Sequence, residues 1–182
     1  PLKLVHCHGC GSKAFIPGNL APLESTECVK CGAELMMPMT LEHFDLRAMI
    51  ASGGMGKVYC AMDQVLEREV AIKLMKRELS EDPEALAGFY SEARACACLN
   101  HTNIINLHAF GEFDDQLYLV MELADNGSLD ERIEKDDRVA ELEVLDIGVK
   151  IASALDTALK KDLLHRDIKP GNILFNTDNE PK

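Results

Sequence analysis

The sequence has no run of eighteen consecutive apolar residues, so it predicts no membrane-crossing helix. Its first stretch, "PLKLVHCHGC", lacks the long apolar segment of a secretory leader, and the chain is therefore expected in the cytoplasm. Positive charge is scarce as well. Nineteen Lys and Arg stand against 31 Asp and Glu, a net charge of −12, and such a chain repels phosphate backbones rather than binding them generally. The imbalance is uneven. Residues 1–40 hold Lys3, Lys13 and Lys30 against Glu24, Glu27 and Glu34, so they are neutral and the remaining residues carry the whole −12. Those forty residues also lack the basic, aromatic footprint of a nucleic-acid module, since Phe15 is their one aromatic. Apolar residues are not lacking. At 47% they are enough for one buried core, or a core plus a small module, in 182 residues.

The cysteine count is odd, seven, which argues against a disulfide framework in a chain without a leader. Four of the seven form two pairs, Cys7 with Cys10 and Cys28 with Cys31, separated by seventeen residues. Two residues between cysteines let both thiolates of a tight turn reach one tetrahedral ion, and each pair is followed by a glycine, Gly11 or Gly32, suited to positive φ. The segment between, "GSKAFIPGNLAPLESTE", is too short to build its own core, and bound zinc would supply the missing folding energy. The pattern resembles a zinc ribbon with ligands Cys7, Cys10, Cys28 and Cys31. A redox C-x-x-C fits less well because no βαβ context surrounds it. His6 and His8 flank a ligand and could substitute in the site, although residues so placed are more often exposed neighbours. With neutral charge and little aromatic surface, the ribbon reads as a structural or protein-contact element. "MMPMT" (36–40) follows as a short apolar linker.

Beyond it, "FDLRAMIASGGMGKVYCAMD" alternates apolar and polar residues up to Ser52-Gly53-Gly54-Met55-Gly56 and resumes at Val58-Tyr59. That is a hairpin with a glycine-rich tip, which by itself is also the signature of an ordinary turn. In "REVAIKLMK" a lysine, Lys73, sits within a strand-like apolar run, where it needs solvent, an anion or an acidic partner. "SEDPEALAGFYSEARACACLN" predicts a helix capped by Asp82 with Pro83 at its first position and Leu86, Phe89, Ala93 and Cys96 on one face. Glu92 lies at the edge of that face, where an acid could hold Lys73. Cys96 and Cys98 read as helix packing residues and Cys60 as a strand residue.

Taken in order, the glycine turn, V-A-I-K, the helical Glu, "HTNIINLHAFGE", "LYLVMELADNGSL" and "HRDIKPGN" resemble a eukaryotic-type protein kinase, in the style of the bacterial Ser/Thr branch, over about residues 43–182. The resemblance implies an α+β fold. A small lobe of about five antiparallel strands plus one helix occupies about 41–121. A hinge and the start of a large lobe occupy about 122–182, and residues 1–40 form the preceding ribbon. It implies ATP and magnesium as cofactors and protein Ser/Thr side chains as substrates. Gly53, Gly54 and Gly56 would bring backbone close to phosphate, with Ala51 standing where the family's first glycine stands. Lys73 would pair with Glu92. Met121 would back the adenine pocket, the backbone of Glu122 and Ala124 would bond the adenine edge, and Val58, Ala71 and Leu174 would sandwich the ring. Asp167 would accept the substrate hydroxyl proton, Lys169 would contact the γ-phosphate and Asn172 would hold magnesium. His165 would pack, and Arg166 would dock a phosphorylated activation loop.

The sequence contains no D-F-G or A-P-E segment, and it opens on Pro1 and stops ten residues after Asn172. The expectation is therefore a piece of a longer kinase, itself of little activity. The other reading is a non-catalytic nucleotide- or protein-binding signalling module. A long helix is expected near Glu141–Lys160, with Val144, Ile147, Ile151, Leu155 and Ala158 on one apolar stripe and Leu142, Leu145, Val149 and Ala152 widening it. Such a helix predicts self-association of the piece.

Overall fold

The computed structural model describes residues 1–79, 81–136 and 138–182. The chain divides into two compact units, one of Pro1–Ala85 with Gly111–Val120 and one of Leu86–Phe110 with Met121–Lys182.

The first unit opens with two small antiparallel hairpins, each wrapped around a cysteine pair. β1 (Leu2–His6) pairs with β2 (Lys13–Pro17), and β3 (Ser25–Glu27) pairs with β4 (Glu34–Met36). Alternation sets their faces: Val5 and Ile16 are buried, while Leu4 and its cross-strand partner Phe15 are exposed. The strands that follow are β5 (Met39–Leu41), β6 (Phe44–Ser52), β7 (Gly56–Asp63), β8 (Arg68–Met75), β9 (Leu107–Phe113) and β10 (Gln116–Met121). They form a six-stranded sheet in the order β5-β6-β7-β8-β10-β9. The "MMPMT" stretch is thus built into structure: Met36 ends β4, Met37 is buried, and Met39 and Thr40 start β5.

β6 meets β7 with register shifts between Leu46 and Ala48 and between Met49 and Ala51, whereas β7 and β8 pair without a slip from Gly56↔Met75 to Asp63↔Arg68. Because neighbouring residues point to opposite faces, Tyr59, Ala61, Val70, Ile72 and Leu74 share one face. They enter a core with Met36, Leu41, Phe44, Leu46, Tyr118 and Val120. Val58, Cys60, Ala71 and Lys73 lie on the other face, through the pairs Val58↔Lys73 and Cys60↔Ala71.

Helix α1 (Pro83–Ala97) begins as its sequence predicts. Asp82 Oδ1 accepts the N–H groups of Glu84 (2.9 Å) and Ala85 (3.4 Å), Pro83 is the first residue, and Phe89 and Ala93 are buried. Within the second unit Phe89 meets Phe110, their ring centroids 6.3 Å apart. Cys96 is half-buried, but Cys98 lies exposed beyond the helix end, so it is not the packing residue its sequence context suggested. Its thiol donates to the Ala95 carbonyl instead.

The second unit also contains α2 (Leu129–Asp136) and α3 (Glu141–Leu159). On α3 the inward stripe is Ile147, Ile151, Ala154 and Ala158, with Ile147 and Ile151 packed with Ile173, Phe175 and Leu129. Val144 is exposed, along with Leu142, Leu145 and Val149, so the inward stripe is narrower than the run of apolar residues on the helix. Lys150 ties α3 to the end of the chain, with Nζ 2.9 Å from Asp146 and 3.0 Å from Glu180. Among the described residues no helix is long and apolar enough to cross a membrane.

Candidate functional site

The four cysteines of the N-terminal hairpins converge. Their Sγ atoms all lie within 4.8 Å of one another, and all four are free thiols. Two turns of the same construction present them. The Cys7 N–H donates to Ser12 O and the Gly11 N–H to Cys7 O. The Cys28 N–H likewise donates to Ala33 O and the Gly32 N–H to Cys28 O. Gly11 at φ +65° and Gly32 at φ +75° occupy the left-handed region, which explains a glycine directly after each pair. A tetrahedral zinc with Zn–S of about 2.3 Å sets its sulfurs about 3.8 Å apart, and the Cys7–Cys31 separation of 3.5 Å is close to that. The thiols are electrostatically crowded. Hydrogen bonds from the Ser12 hydroxyl and then the Ser12 N–H lower Cys10 to about 6. The N–H groups of Lys30 and Cys31 lower Cys28. At Cys31 the Ala33 N–H acts to lower the thiol, but contact with Cys7, burial, and the Cys10 and Cys28 sulfurs outweigh it and push it up to about 12. Cys10 and Cys28, both favouring the thiolate, are gathered with Cys7 and Cys31 round one point, a donor set that suits a divalent cation. His6 and His8 are exposed and lie outside this group of four.

The glycine turn joins β6 to β7 and is closed by Gly53 N–H to Gly56 O at 2.8 Å. Its glycines are not equivalent. A Cβ on Gly54 would meet nothing within 4 Å, and one on Gly53 only the Gly56 carbonyl at 3.8 Å. One on Gly56 would strike the Leu74 carbonyl oxygen at 2.3 Å. Gly56 is thus required by the close approach of β8, whereas Gly53 and Gly54 leave their outer side open. Ala51 is exposed and pairs with Val58. Val58 and Lys73 are cross-strand partners, and Ala71 follows two residues before Lys73 on the same face. All of these belong to the first unit. Glu92 is half-buried on α1, in the second unit.

In the second unit the segment Met121–Ala124 leaves β10, and all four residues are half-buried. The Glu122 N–H donates to Asn106 O at 2.8 Å, so the Glu122 backbone group left for a ligand is its carbonyl. The Glu122 carboxylate accepts from Asn106 Nδ2 at 3.0 Å and pairs with Lys182. Leu174 reaches this region through a bridge to Ser128, and its backbone exchanges both hydrogen bonds with Lys182.

The loop after α3 brings Asp167, Lys169 and Asn172 together. Asn172 Nδ2 donates to both Asp167 Oδ2 and the Asp167 carbonyl, each at 2.8 Å, and Lys169 Nζ stands 3.0 Å from Asp167 Oδ2. The Asp167 N–H donates to His165 Nδ1 at 3.3 Å, which assigns the ring proton to Nε2. Arg166 sits at φ +65°, a strained setting for a non-glycine that turns the chain within the loop. The Lys169 hydrogen bond, then that of Asn172, holds the Asp167 carboxyl below the usual Asp range. An exposed, ionised carboxylate is thus fixed between an amide and an ammonium group.

Sequence reasoning did not single out the supports of this region. Asn103 is buried and donates from Nδ2 to Pro181 O at 2.8 Å, while Asn106 and Lys182 hold the Glu122 carboxylate. The signal available was three polar residues, His101, Asn103 and Asn106, interleaved with Ile104 and Ile105. Such residues at a buried edge are there to make hydrogen bonds. A cavity of about 530 Å³ in this unit is lined by Asp125, Asn126, Glu131, Arg132, Glu143 and Asn179 among others, and contains none of the expected site residues.

Known families and proteins agree with this geometry. The protein kinase domain family matches residues 44–182. The serine/threonine-protein kinase PknA of Mycobacterium tuberculosis is 40% identical over 144 residues, 76% of this chain and 33% of the relative. PrkC of Bacillus subtilis is 39% identical over 132 residues (72% and 20%), and PknE of Mycobacterium bovis is 40% identical over 135 residues (74% and 24%). The chain spans a third or less of the length of these relatives. With its glycine hairpin, the Met121–Ala124 segment and the Asp–Lys–Asn loop all inside the matched range, the chain belongs to the protein kinase domain family.

Proposed function

We propose that the protein is a serine/threonine kinase that transfers the γ-phosphate of ATP to protein hydroxyls. The observation that carries this is the Asp167–Lys169–Asn172 cluster, in which a carboxylate is kept ionised where a base is needed. Asp167 receives the substrate hydroxyl proton, and the exposure of the loop leaves room for a peptide to approach. Lys169 offers its ammonium to the transferring phosphate. Asn172 commits Nδ2 to Asp167, so Oδ1 is the atom available to a hard, oxygen-seeking cation such as magnesium. Bound magnesium would neutralise charge on the phosphates. In the first unit Gly53, Gly54 and Gly56, with Ala51, present backbone to phosphate, and Lys73 adds a positive charge. Of the residues proposed to meet adenine, Val58 and Ala71 offer apolar surface on the first unit, while the second unit offers Met121, Leu174 and the backbone of Glu122 and Ala124. The full-length protein with ATP, magnesium and a protein substrate is the test. Asp167→Asn should lower turnover by roughly 10²–10⁴-fold, the range of a lost general base. Turnover near that of the unchanged protein would end this reading. The 182 residues hold no D-F-G segment, so the chain alone should turn over far more slowly than the full-length protein.

We also infer one zinc per chain at Cys7, Cys10, Cys28 and Cys31, which requires the reducing conditions of the cytoplasm to keep the thiols free. Elemental analysis of chelator-free protein should give a one-to-one ratio, and protein purified without stoichiometric metal would refute the site. The exposed apolar residues of α3 further lead us to propose that the 182-residue chain pairs with a second copy.

A further inference from the structure

We propose that the metal held by the four cysteines is a structural support of the kinase sheet, through β4, so that metal occupancy and the order of the glycine hairpin are linked. This rests on the zinc reading above. The carrying observation is a three-residue alternation. Leu35 and Met37 are buried in the N-terminal core with Val5, Cys7, Ile16 and Cys28, and Met36 between them is buried in the sheet core. The end of β4 and the residue after it therefore belong to two cores, with Leu35 and Met37 facing the metal-binding hairpins and Met36 facing the sheet.

The first of those cores is small. Six buried residues, two of them metal-ligand candidates, cannot hold two hairpins of three- to five-residue strands without a cross-link. Its order depends on what the cysteines bind, and β4 starts three residues after Cys31. The second core holds Leu46 of β6 and Tyr59 and Ala61 of β7, the two strands that carry the glycine turn. Leu23 and Met39 pack against it too. Two backbone bonds lock the connection: Met37 N–H to Glu24 O at 2.7 Å and Leu23 N–H to Met37 O at 2.9 Å. Leu23 is held at φ +68°, a conformation a leucine keeps only when its surroundings impose it. The contact is made on the sheet face that carries Tyr59 and Ile72. Val58, Ala71 and Lys73 occupy the opposite face. The metal module thus braces the hairpin from behind and leaves the side with Lys73 uncovered by it.

The test compares the 182-residue chain as purified with zinc, after removal by chelator, and after zinc is returned. Hydrogen exchange is read by peptide and thermal unfolding by circular dichroism. Among the described residues the four cysteines are the one cluster of three or more His, Cys, Asp or Glu side chains placed to hold a metal ion, so a zinc-selective chelator acts there. Removal should speed exchange across β6, β7 and β8 as well as across residues 1–37, and lower the unfolding midpoint by roughly 10 °C. Zinc should restore both. Met36→Ala should still bind zinc one-to-one while the sheet's exchange becomes insensitive to its removal, and Met36→Leu should keep the response. Faster exchange confined to residues 1–37 would overturn the linkage and leave the zinc site standing. A sheet response undiminished in Met36→Ala would overturn the route through β4. Absence of stoichiometric zinc would refute the metal reading and this inference together.

Discussion

Among the described residues Asp63, at the end of β7, is the one buried carboxylate, and its position shows how a charge is kept inside at low cost. Its Oδ1 accepts the N–H groups of Val65 and Leu66, both at 3.0 Å, in the turn between β7 and β8, with His43 and Arg68 within 4 Å. The Leu66 N–H, followed by that of Val65 and the His43 and Arg68 charges, overcomes burial and lowers its pKa. A carboxylate depressed in the folded state stabilises the fold above the unfolded Asp value, about 3.9, and that contribution is lost as pH falls through the lower folded value. Asp63→Ala, which strands two N–H groups, should cost about 1–3 kcal/mol in urea unfolding at pH 7. The deficit should shrink as pH falls below about 4. A difference that stays constant down to pH 2 would refute the assignment. Residues such as Asp167, Lys169 and Asn172 were legible because their chemistry is contained in eight consecutive positions. Asp63 and the partners of the Glu122 carboxylate were not, because what defines them is separated in sequence. Glu122 meets Asn106, sixteen positions before it, and Lys182, sixty after.

Among the elements, the β6–β7 hairpin separates two reasons for a glycine that sequence alone merges. A Cβ on Gly56 meets backbone, the Leu74 carbonyl, which cannot move without breaking the β7–β8 ladder. Gly56→Ala should therefore destabilise the chain by about 1–3 kcal/mol, in the range of strain from added volume at a packed site. Gly53→Ala and Gly54→Ala have room and should leave thermal unfolding within about 1 °C. If the turn meets phosphate as proposed, these two should weaken ATP binding in the full-length protein, read by calorimetry. Equal stability losses at all three positions would show that the contact geometry is misjudged. The same scale shows what periodicity can and cannot reveal. α1 and α3 were readable because each has an apolar stripe several turns long, and Asp82-Pro83 announces the start of α1. The long β7 was readable from the alternation that resumes at Val58-Tyr59, and β8 from the apolar run Val70-Ala71-Ile72. β5 has three residues, too few to alternate, and its place in the sheet comes from Leu41 and Phe44 entering a core built by distant strands. α2, "LDERIEKD", has no stripe to read, with Leu129 and Ile133 its only apolar residues. Its local signal was Ser128 ahead of Glu131, an S-x-x-E pair. The structure uses it: Ser128 Oγ accepts the Glu131 N–H at 3.2 Å and donates to the Glu131 carboxylate. Arg132 then lies over the Phe175 ring, 3.2 Å from its centroid, which anchors the helix by a contact spanning 43 positions.

For the molecule as a whole, the helix α3 decides how the isolated 182-residue chain behaves in solution. One side of α3 is spent on Ile173 and Phe175. On the rest, Leu142 is 81% exposed, Leu145 57% and Val149 71%, and these three are spaced by three and four residues, so they form one continuous ridge. Val144, 51% exposed, extends it. Covering a large aliphatic side chain is worth about 1.5–3 kcal/mol, so two such ridges packed together gain several kcal/mol before the cost of association is subtracted. Charge does not forbid the pairing, since Arg132 and Lys150 lie among the acids Glu143 and Asp146 close to the ridge. A second copy supplies the same ridge and closes the interface by two-fold symmetry without further growth. Light scattering on a sizing column should therefore give a mass above 20.1 kDa that rises toward twice that value over micromolar concentrations. Leu145→Glu with Val149→Glu should return the chain to a monomer with an unchanged helical spectrum, because both side chains already face water. A chain that remains monomeric at high micromolar concentration with α3 protected from exchange would show that the ridge is tolerated in water. A dimer unaffected by the double substitution would show that the copies meet elsewhere.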